Sequence, residues 1–393
     1  MSSTNMLEIW PNFTEEEARV VHDIILSNKV NYWTGQVGRQ FESEFADWIG
    51  TGFSIALANG TLALDLALKG LCINPGDEVI VTPRTFIASV SSVVSAGATP
   101  IFADIDRNSG NISPETINAV LSDKTRAIIP VHLGGWPCDM EGIMALAQQR
   151  DLSVIEDCAQ AHGAKIGDAM AGSIGHVGAW SFCQDKIMTT GGEGGMVTTN
   201  DEELWGRMWS YKDHGKNWDA VYNRQHPPGF RWVHESFGTN WRMLEMQAAI
   251  GRIQLTRMEE WTALRTRNAH ALQVVLQAFP EAIRVPDPGP GFTHAYYRQY
   301  GYIKPNGLKA GWTRDRIIED IVAHGYPAFQ GSCSEAYLEK AFDGTGWRPE
   351  PRLPVAKELG ETSMMFLTHP SITEAQLEGY CNVVRQSFEK AAR

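Results

Sequence analysis

The sequence lacks three features that would each place it in a different class of protein. Lys and Arg number 34 against 46 Asp and Glu, a formal net charge of −12, so no basic excess is present to neutralise nucleic-acid phosphates. The longest mostly apolar stretch, residues 87–102, is interrupted by serines, a glycine and a proline and is too short to span a bilayer. No basic segment precedes an apolar one at the N-terminus, so no secretory signal is predicted. We expect a cytoplasmic protein that binds neither nucleic acid nor membrane.

Cysteine is also scarce. The six cysteines form no CxxC motif and no cluster with histidine along the chain; they are Cys72, Cys138, Cys158, Cys183, Cys333 and Cys381. Free thiols in a reducing compartment are therefore favoured over disulfides or a zinc site. No metal is predicted.

The material for a large folded core is present. The chain has 393 residues, of which 43% are hydrophobic and 20% charged, values ordinary for a globular protein. Strand-like runs alternate with helical spacing, the strands at 53–58, 77–83, 99–105, 125–132 and 152–158, and the helices at 61–71, 89–97 and 140–150. Such alternation predicts an α/β fold, a mainly parallel central sheet flanked by helices.

A second, smaller domain is predicted at the C-terminus. Residues 239–279 carry the longest helical signal, which we expect to join two domains, and the Pro/Gly-rich stretch 285–292 follows it. Strand-like and helical segments beyond that point predict a small α+β domain. The predicted division is a large domain over 1–265 and a small C-terminal domain over 266–393.

Because ligands of open parallel sheets lie at the carboxyl ends of the strands, the polar residues that follow strands are the candidates for chemistry. The first group is Asn59-Gly60-Thr61, between a strand and a helix. Glycine permits a tight turn, and the free N–H groups of the helix start favour a phosphate-sized anion. An ordinary N-cap turn explains the same three residues.

The second group is Glu156-Asp157, at the end of a predicted buried strand. A buried acid needs a partner, which could be an arginine, a metal or the protonated nitrogen of a heterocycle. Metal is the weakest of these, since no second carboxylate or histidine has ligand spacing here.

The third group is Lys186, which lies between a predicted strand and a glycine-rich turn. Burial would disfavour the charged form and expose a nucleophilic amine, as a Schiff-base lysine requires; a surface lysine is the alternative. An anion cradle, an acid at a strand end and a lysine match together what pyridoxal phosphate needs.

At this point the sequence resembles the sugar aminotransferases of the DegT/DnrJ/EryC1/StrS group, within the type I aspartate aminotransferase fold. The similar segments occur in the family's order and are 33–46, 58–68, 76–89, 98–106, 130–140, 154–164, 181–201 and 237–255. The resemblance implies a large pyridoxal-phosphate domain and a transaminase. The resemblance covers most of the chain. In the small domain the similarity to the family is only loose.

The resemblance also implies roles for single residues. Lys186 would bond to pyridoxal 5'-phosphate and shuttle a proton, and the cofactor would alternate with pyridoxamine 5'-phosphate. Asp157 would pair with the ring nitrogen, Gln160 would lie beside the ring, and Phe86 would stack on it.

The remaining implied contacts concern the phosphate and the dimer. Gly60, Thr61 and Ser181 would hold the phosphate of the same subunit. Asn240 would reach the phosphate in the neighbouring subunit, which makes a homodimer with shared active sites an expectation.

The implied reaction moves an amino group from glutamate to a keto sugar, expected to be a nucleotide-linked 4-keto- or 3-keto-6-deoxyhexose, for amino-sugar biosynthesis. Candidate contacts to the sugar or its pyrophosphate are Trp33, Thr34, His132, Arg231 and His234.

The chain also departs from the family pattern. Cys183 and Gln184 stand where an aromatic or histidine and then proline often precede the lysine, and this glutamine also resembles relatives that act on cyclitols or make aminohydroxybenzoate. A keto-inositol or related carbocycle is therefore an alternative acceptor. A non-catalytic regulator that retains the fold is a further alternative, against which the intact lysine, acid and cradle argue. Dehydration is disfavoured because Lys186 is present where the family's dehydratases have histidine.

Overall fold

The protein is described by a computed structural model over residues 6–393. Its strands are β1 Phe53–Leu57, β2 Glu78–Val81, β3 Thr99–Phe102, β4 Thr125–Ile129, β5 Ser153–Asp157, β6 Lys165–Ile166, β7 Ala169–Met170, β8 Val177–Ser181, β9 Gly195–Thr199, β10 Ile283–Arg284, β11 Phe292–Thr293, β12 Arg298–Ile303 and β13 Ser363–Leu367.

The helices alternate with these strands in the first half of the chain and dominate the second. They are α1 Glu15–Ser27, α2 Val37–Ile49, α3 Gly60–Gly70, α4 Ala88–Ser95, α5 Pro114–Asn118, α6 Met140–Arg150, α7 Glu202–Lys212, α8 Trp218–Tyr222, α9 Glu245–Thr256, α10 Met258–Gln277, α11 Arg314–Ala323, α12 Pro354–Thr362 and α13 Glu374–Ala391. None of these helices, within residues 6–393, is both long and apolar enough to cross a bilayer.

The large domain is built on a seven-stranded sheet with the order β1-β9-β8-β5-β4-β2-β3. Pairs among β3, β2, β4, β5 and β8 are parallel, and β9 is antiparallel to both of its neighbours, β8 and β1. The central strands are buried over nearly their whole length because helices cover both faces. The predicted α/β class with a mainly parallel sheet is confirmed.

The small domain carries a three-stranded antiparallel sheet, β10-β12-β13. Helices α10, α11 and α13 pack on it around a separate apolar core that includes Leu272, Ile317, Phe366 and Phe388. The N-terminal segment contributes Leu7 to this core. The predicted α+β character of the C-terminal part follows from this arrangement.

The long helical signal over 239–279 corresponds to two helices, α9 and α10. Helix α9 ends before Arg257 and α10 begins after it. The Arg257 guanidinium donates to Glu16 and Glu17 of α1, at 2.8 and 3.3 Å, so a third helix holds the break in place.

The predicted domain boundary at 265/266 falls inside α10. Met258 and Trp261, near the start of this helix, pack in the core of the large domain. Leu272 and Leu276, near its end, pack in the core of the small domain. One helix thus belongs to both cores, and the exact boundary stays a prediction.

Candidate active site

A pocket of about 980 Å³ opens at the carboxyl ends of β1, β5 and β8. The large domain lines one side of this pocket, and residues of β12 and of the 331–339 segment line the other. We call the first side the sheet wall and the second side the small-domain wall. Six of the predicted cofactor residues line the sheet wall together with Lys186; they are Gly60, Thr61, Phe86, Asp157, Gln160 and Ser181.

The N-terminus of α3 lines the pocket as part of the sheet wall. Asn59 caps the helix by accepting from Leu62 N–H at 3.0 Å, which leaves the first turn of N–H groups facing the pocket. A Cβ on Gly60 would lie 2.5 Å from Ser181 Cβ, and one on Gly195 would lie 2.2 Å from Asn59 O. Glycine is therefore required at both positions for the turn to approach β8 and β9 so closely. The result is a close approach of the α3 N-terminus to β8 and β9, and its use as a phosphate cradle stays a prediction.

Asp157 ends β5 and faces the pocket with 5% of its surface exposed. Its Oδ2 accepts from Ser89 Oγ at 2.7 Å, and its Oδ1 accepts from Ala159 N–H at 3.1 Å. Thr85 Oγ1 lies 2.7 Å from Ser89 Oγ and extends the chain of hydroxyls. Two donors fix the orientation of the carboxylate, so it can pair with a cation in the pocket.

Glu156, the neighbour of Asp157, points to the opposite side of β5 and has a structural role. Its Oε1 accepts from Ile174 and Gly175 N–H, and its Oε2 accepts from Gly172 N–H. Burial opposes its ionisation, but the His132 hydrogen bond and these N–H groups outweigh burial and hold the pKa of Glu156 below its ordinary value. The carboxylate therefore anchors the 172–175 loop.

His132 is completely buried against Glu156, and its assignment as a substrate contact is corrected. Its Nδ1 accepts from Cys138 N–H at 3.0 Å, so the proton is on Nε2, which donates to Glu156 Oε2 at 3.0 Å. Both ring nitrogens are thus engaged away from the pocket. Sequence spacing gave no sign of this contact, because β4 and β5 bring the two residues together.

Cys158 lies close to the same pair, and the three side chains form a compact buried group. Burial raises the pKa of the Cys158 thiol to about 12, so the sulfur stays protonated. Since the histidine nitrogens and the glutamate oxygens already have protein partners, the group is a hydrogen-bonded support of the sheet edge. All six cysteines are free thiols, as their spacing predicts.

Lys186 lies on the loop between β8 and β9, with its side chain 16% exposed. Its Nζ is 3.9 Å from Asp185 Oδ1 and 5.3 Å from the centre of the Tyr297 ring. Its carbonyl accepts from Trp10 Nε1 at 2.8 Å, so the N-terminal segment holds the loop from behind. The lysine is therefore sheltered, fixed at its backbone, and available in the pocket, unlike a lysine in solvent.

The small-domain wall contains residues that the sequence analysis did not identify. Tyr297 donates to Asp185 Oδ2 at 2.5 Å, and Arg298 Nη2 lies 3.6 Å from the same oxygen. The Arg298 guanidinium also stacks on the Tyr297 ring, at 4.0 Å from its centre. No local motif marks these residues, because they reach the pocket only when the small domain packs on the large one.

A group of buried titratable side chains lies behind this wall. Arg265 is fully buried, and none of its nitrogens has a hydrogen-bond partner in the described part of the chain. Burial, and next the charge of Arg298, lower the pKa of Arg265 to about 9. Burial likewise lowers the pKa of His162 and of His369 to about 3. The histidines are therefore neutral near pH 7. Within the described residues, no carboxylate is hydrogen-bonded to the Arg265 guanidinium.

The other predicted substrate contacts do not line the pocket of their own chain. Trp33 donates to Asp213, Thr34 donates to Asn31 O, Arg231 donates to Val221 O, and His234 lies 2.8 Å from His214 O. Asn240 pairs through its backbone with Asp213 and is exposed. Trp33 and Asn240 thus contact Asp213 directly, and His234 pairs through its backbone with Lys216, whose Nζ lies 3.0 Å from Asp213 Oδ1.

A sheltered lysine that shares a pocket with a strand-end acid and the N-terminus of a helix defines a class of α/β enzyme that handles an anionic ligand at one reactive amine. The profile of the DegT/DnrJ/EryC1/StrS aminotransferase family matches residues 11–385. The chain belongs to this family, and it is an aminotransferase.

Individual relatives agree with this assignment over nearly their whole length. The structure of an aminotransferase from Psychrobacter cryohalolentis is 60% identical, with a TM-score of 0.96 and coverage of 98% of this chain and 99% of that one. GDP-perosamine synthase of Caulobacter vibrioides is 36% identical over 91% of this chain and 92% of its own length. A UDP-N-acetyl-3-dehydro-α-D-glucosamine 3-aminotransferase of Acidithiobacillus ferrooxidans is 36% identical over 90% and 89%.

Proposed function

We propose that this aminotransferase uses pyridoxal 5'-phosphate and moves the amino group of glutamate to a keto sugar carried by a nucleotide, a 4-keto- or 3-keto-6-deoxyhexose. The observation that carries the proposal is the single pocket in which Lys186, Asp157 and the N-terminus of α3 meet. The names of the relatives support a sugar acceptor, since they make or act on nucleotide-linked amino sugars. The product would serve amino-sugar biosynthesis.

The sheet wall fits the proposed cofactor. The cradle at Gly60, Thr61 and Ser181 has room for a phosphate only because position 60 has no Cβ. Phe86 lines the pocket with 69% of its surface exposed, so its ring face is available for stacking. Gln160 lies beside it, fixed by Gly134 N–H at 2.7 Å from its Oε1. When bound, pyridoxal phosphate supplies an aldehyde for the amine and a protonated ring that withdraws electrons from the reacting carbon.

The chain's own residues then supply positioning and proton transfer. Asp157 would pair with the ring nitrogen and keep it protonated, because Ser89 and Ala159 hold its carboxylate in place. Lys186 Nζ would remove the proton from the α-carbon of the donor and return a proton to the sugar carbon that receives the amine. The shelter of Lys186 limits the access of water to that proton.

A homodimer with shared sites is part of the proposal. Three large aromatic side chains on the segment 230–237 are exposed, Phe230 at 74%, Trp232 at 81% and Phe237 at 100%, and such patches are typical of interfaces. Arg231 and His234 lie on this segment, and Asn240 follows it in the chain. These residues lie outside their own chain's pocket and would complete the pocket of a second copy.

The first test removes the amine. We expect Lys186→Ala to lose the visible absorbance of the lysine-bound cofactor and to reduce transamination with glutamate more than about 1,000-fold. Lys165→Ala, which changes an exposed lysine, is the control and should retain both. Wild-type turnover by the Lys186→Ala enzyme would refute the role of this lysine. The acceptor is tested on the wild type with labelled glutamate, nucleotide-linked keto sugars and keto-inositols.

The second test concerns the shared sites. Lys186→Ala and Asn240→Ala subunits are refolded together in equal amounts, so that mixed dimers contain one site with both residues intact. We expect the mixture to recover about a quarter of wild-type activity, as random pairing of two subunits predicts. Recovery no greater than the sum of the two separate variants would show that Asn240 does not act on a neighbour's site.

A further inference from the structure

Arg298 is a cation in the wall of the pocket that the proposed cofactor does not use. Its side chain is 11% exposed and lines the same pocket as Lys186. The phosphate cradle lies on the opposite, sheet wall of this pocket. The guanidinium has five N–H donors, and in the described residues its one hydrogen bond goes to Tyr297 O at 3.0 Å. Most of its donor capacity is left for solvent or a ligand.

The Asp185 carboxylate lies between the Arg298 guanidinium and the reactive amine of Lys186. Its Oδ1 is 3.9 Å from Lys186 Nζ, and its Oδ2 is 3.6 Å from Arg298 Nη2. One carboxylate group therefore reaches both nitrogens at once. The Asp185 side chain is 57% exposed, so its carboxylate can turn into solvent in exchange for the Tyr297 hydrogen bond and the contacts to the two cations.

The surroundings of Arg298 add positive charge without a matching acid. The fully buried Arg265 lies close enough to Arg298 for each charge to act on the other, and no nitrogen of Arg265 has a partner in the described part of the chain. Unpaired buried cations are costly and create a site that favours an anion. Among the described residues, the carboxylate paired with Arg298 is that of the half-exposed Asp185, which is also shared with Lys186 and Tyr297.

We propose that Arg298 binds a carboxylate of the amino donor, in the place that Asp185 holds in the free enzyme. The inference rests on the proposed function, which makes an amino acid the donor. In an α-amino acid one carbon separates the amine from the carboxylate. When the donor amine takes over the position of Lys186 Nζ, its carboxylate falls within reach of the guanidinium.

The alternative anion in this reaction, the diphosphate of a nucleotide sugar, fits the place less well. The diphosphate is attached to the anomeric carbon, across the sugar ring from a reacting carbon 3 or carbon 4. It therefore lies several bonds farther from Lys186 Nζ than a donor carboxylate does. A planar guanidinium is also the matched partner of a carboxylate through two parallel hydrogen bonds.

The test measures binding of glutarate, an unreactive dicarboxylate, to the holoenzyme by calorimetry, and the rate of the spectral change that glutamate causes. We expect Arg298→Gln to weaken glutarate and to raise the half-saturating glutamate concentration about 30-fold, the loss typical of a charged hydrogen-bonded pair. The glutarate affinity of Arg298→Lys should fall between that of Arg298→Gln and that of the wild type. Lysine keeps the positive charge but cannot donate two parallel hydrogen bonds to one carboxylate.

A matched control is present in the same small-domain sheet. Arg284 also stacks on a tyrosine, with its guanidinium 4.6 Å from the centre of the Tyr302 ring, but it does not line the pocket. Arg284→Gln should bind glutarate as the wild type does. Thermal unfolding of each variant checks that the holoenzyme is intact.

Asp185→Asn gives a change of opposite sign. If Asp185 occupies the place of the donor carboxylate, removing its charge should tighten glutarate binding about threefold. A purely structural role of the Asp185–Arg298 pair would instead make both variants bind more weakly. That result, or wild-type binding by Arg298→Gln, overturns the inference.

Two further outcomes separate the inference from the proposed function. If the wild type binds glutarate through Arg298 and yet shows no spectral change with glutamate, the glutamate-donor proposal fails and the carboxylate site stands. If Arg298→Gln binds glutarate as tightly as the wild type does but no longer binds GDP or UDP, the residue binds the diphosphate and the inference is wrong.

Discussion

The two walls of the pocket differ in how their charged groups are satisfied. On the sheet wall, Asp157 has two donors and Glu156 behind it has four. On the small-domain wall, Arg298 has one backbone acceptor and Arg265 has none among the described residues. The sheet wall is thus preorganised for one fixed ligand, whereas the small-domain wall is left with charge that a changing ligand can neutralise.

This difference suits the two kinds of ligand in a transaminase. A resident cofactor benefits from groups held in one geometry, because no reorganisation is then needed during the reaction. Donor and acceptor must enter and leave in turn, so their binding groups must also be stable without them.

The largest effect is expected from Asp157 and separates it from its neighbour Glu156. Asp157→Asn keeps the shape and removes the charge, so we expect kcat to fall about 1,000-fold, roughly 4 kcal/mol of transition-state stabilisation. The folded protein should unfold at an almost unchanged temperature. The measurements are transamination kinetics and thermal unfolding.

Glu156→Gln is the matched comparison, and the opposite pattern is expected from it. Loss of a buried carboxylate with four donors should lower the free energy of unfolding by about 3 kcal/mol. The activity of the protein that remains folded and loaded with cofactor should change little. If both variants lose activity and stability to the same extent, the assignment of a catalytic role to Asp157 and a structural role to Glu156 is wrong.

A smaller effect is expected at the cradle. In Gly60→Ala the new Cβ would meet Ser181 Cβ at 2.5 Å and Oγ at 2.9 Å, so the turn must move and the cradle must open. We expect cofactor affinity to fall about 10- to 100-fold, measured by titration of the apoenzyme. Gly206→Ala is the control, since its Cβ would meet nothing within 4 Å.

The smallest effect concerns the buried group behind the small-domain wall. Burial holds the pKa of His162 at about 3 in the folded protein, against an ordinary value of 6.5. Between these values the unfolded chain binds a proton that the folded chain does not, so stability falls as the pH falls through this range, by about 1.4 kcal/mol per pH unit. His162→Leu should remove that dependence.

The measurement is urea unfolding at pH 7 and pH 5. From pH 7 to pH 5 the wild type should lose about 2 kcal/mol more than His162→Leu does. His22→Gln, in an exposed part of α1, should leave the loss as in the wild type. Equal losses in the wild type and His162→Leu would contradict a neutral, buried His162.

The sheet wall was predictable from sequence because its residues follow strands within short segments. Asn59 to Thr61 and Asp157 each sit where a strand ends, and the parallel topology brings strand ends to one edge. The family resemblance added Phe86, Gln160 and Ser181, which the structure places in the same pocket.

The small-domain wall could not be predicted in this way. Tyr297 and Asp185, which share a hydrogen bond, are 112 residues apart in the chain, and the contact depends on how two domains pack. His132 was misassigned for a related reason. Its partner Glu156 comes from the neighbouring strand β5, and a histidine after a strand looks the same in sequence whether it faces the ligand or the interior.

Helix α10 sets the width of the gap between the two walls. Its first turns are embedded in one core and its last turns in the other, and it contains no proline or glycine at which to bend. The distance from Lys186 to the opposite wall is accordingly built into the scaffold before any ligand arrives. The fixed width of this gap then selects ketone substrates by their size. Larger or smaller side chains on β12 would change which substrates fit.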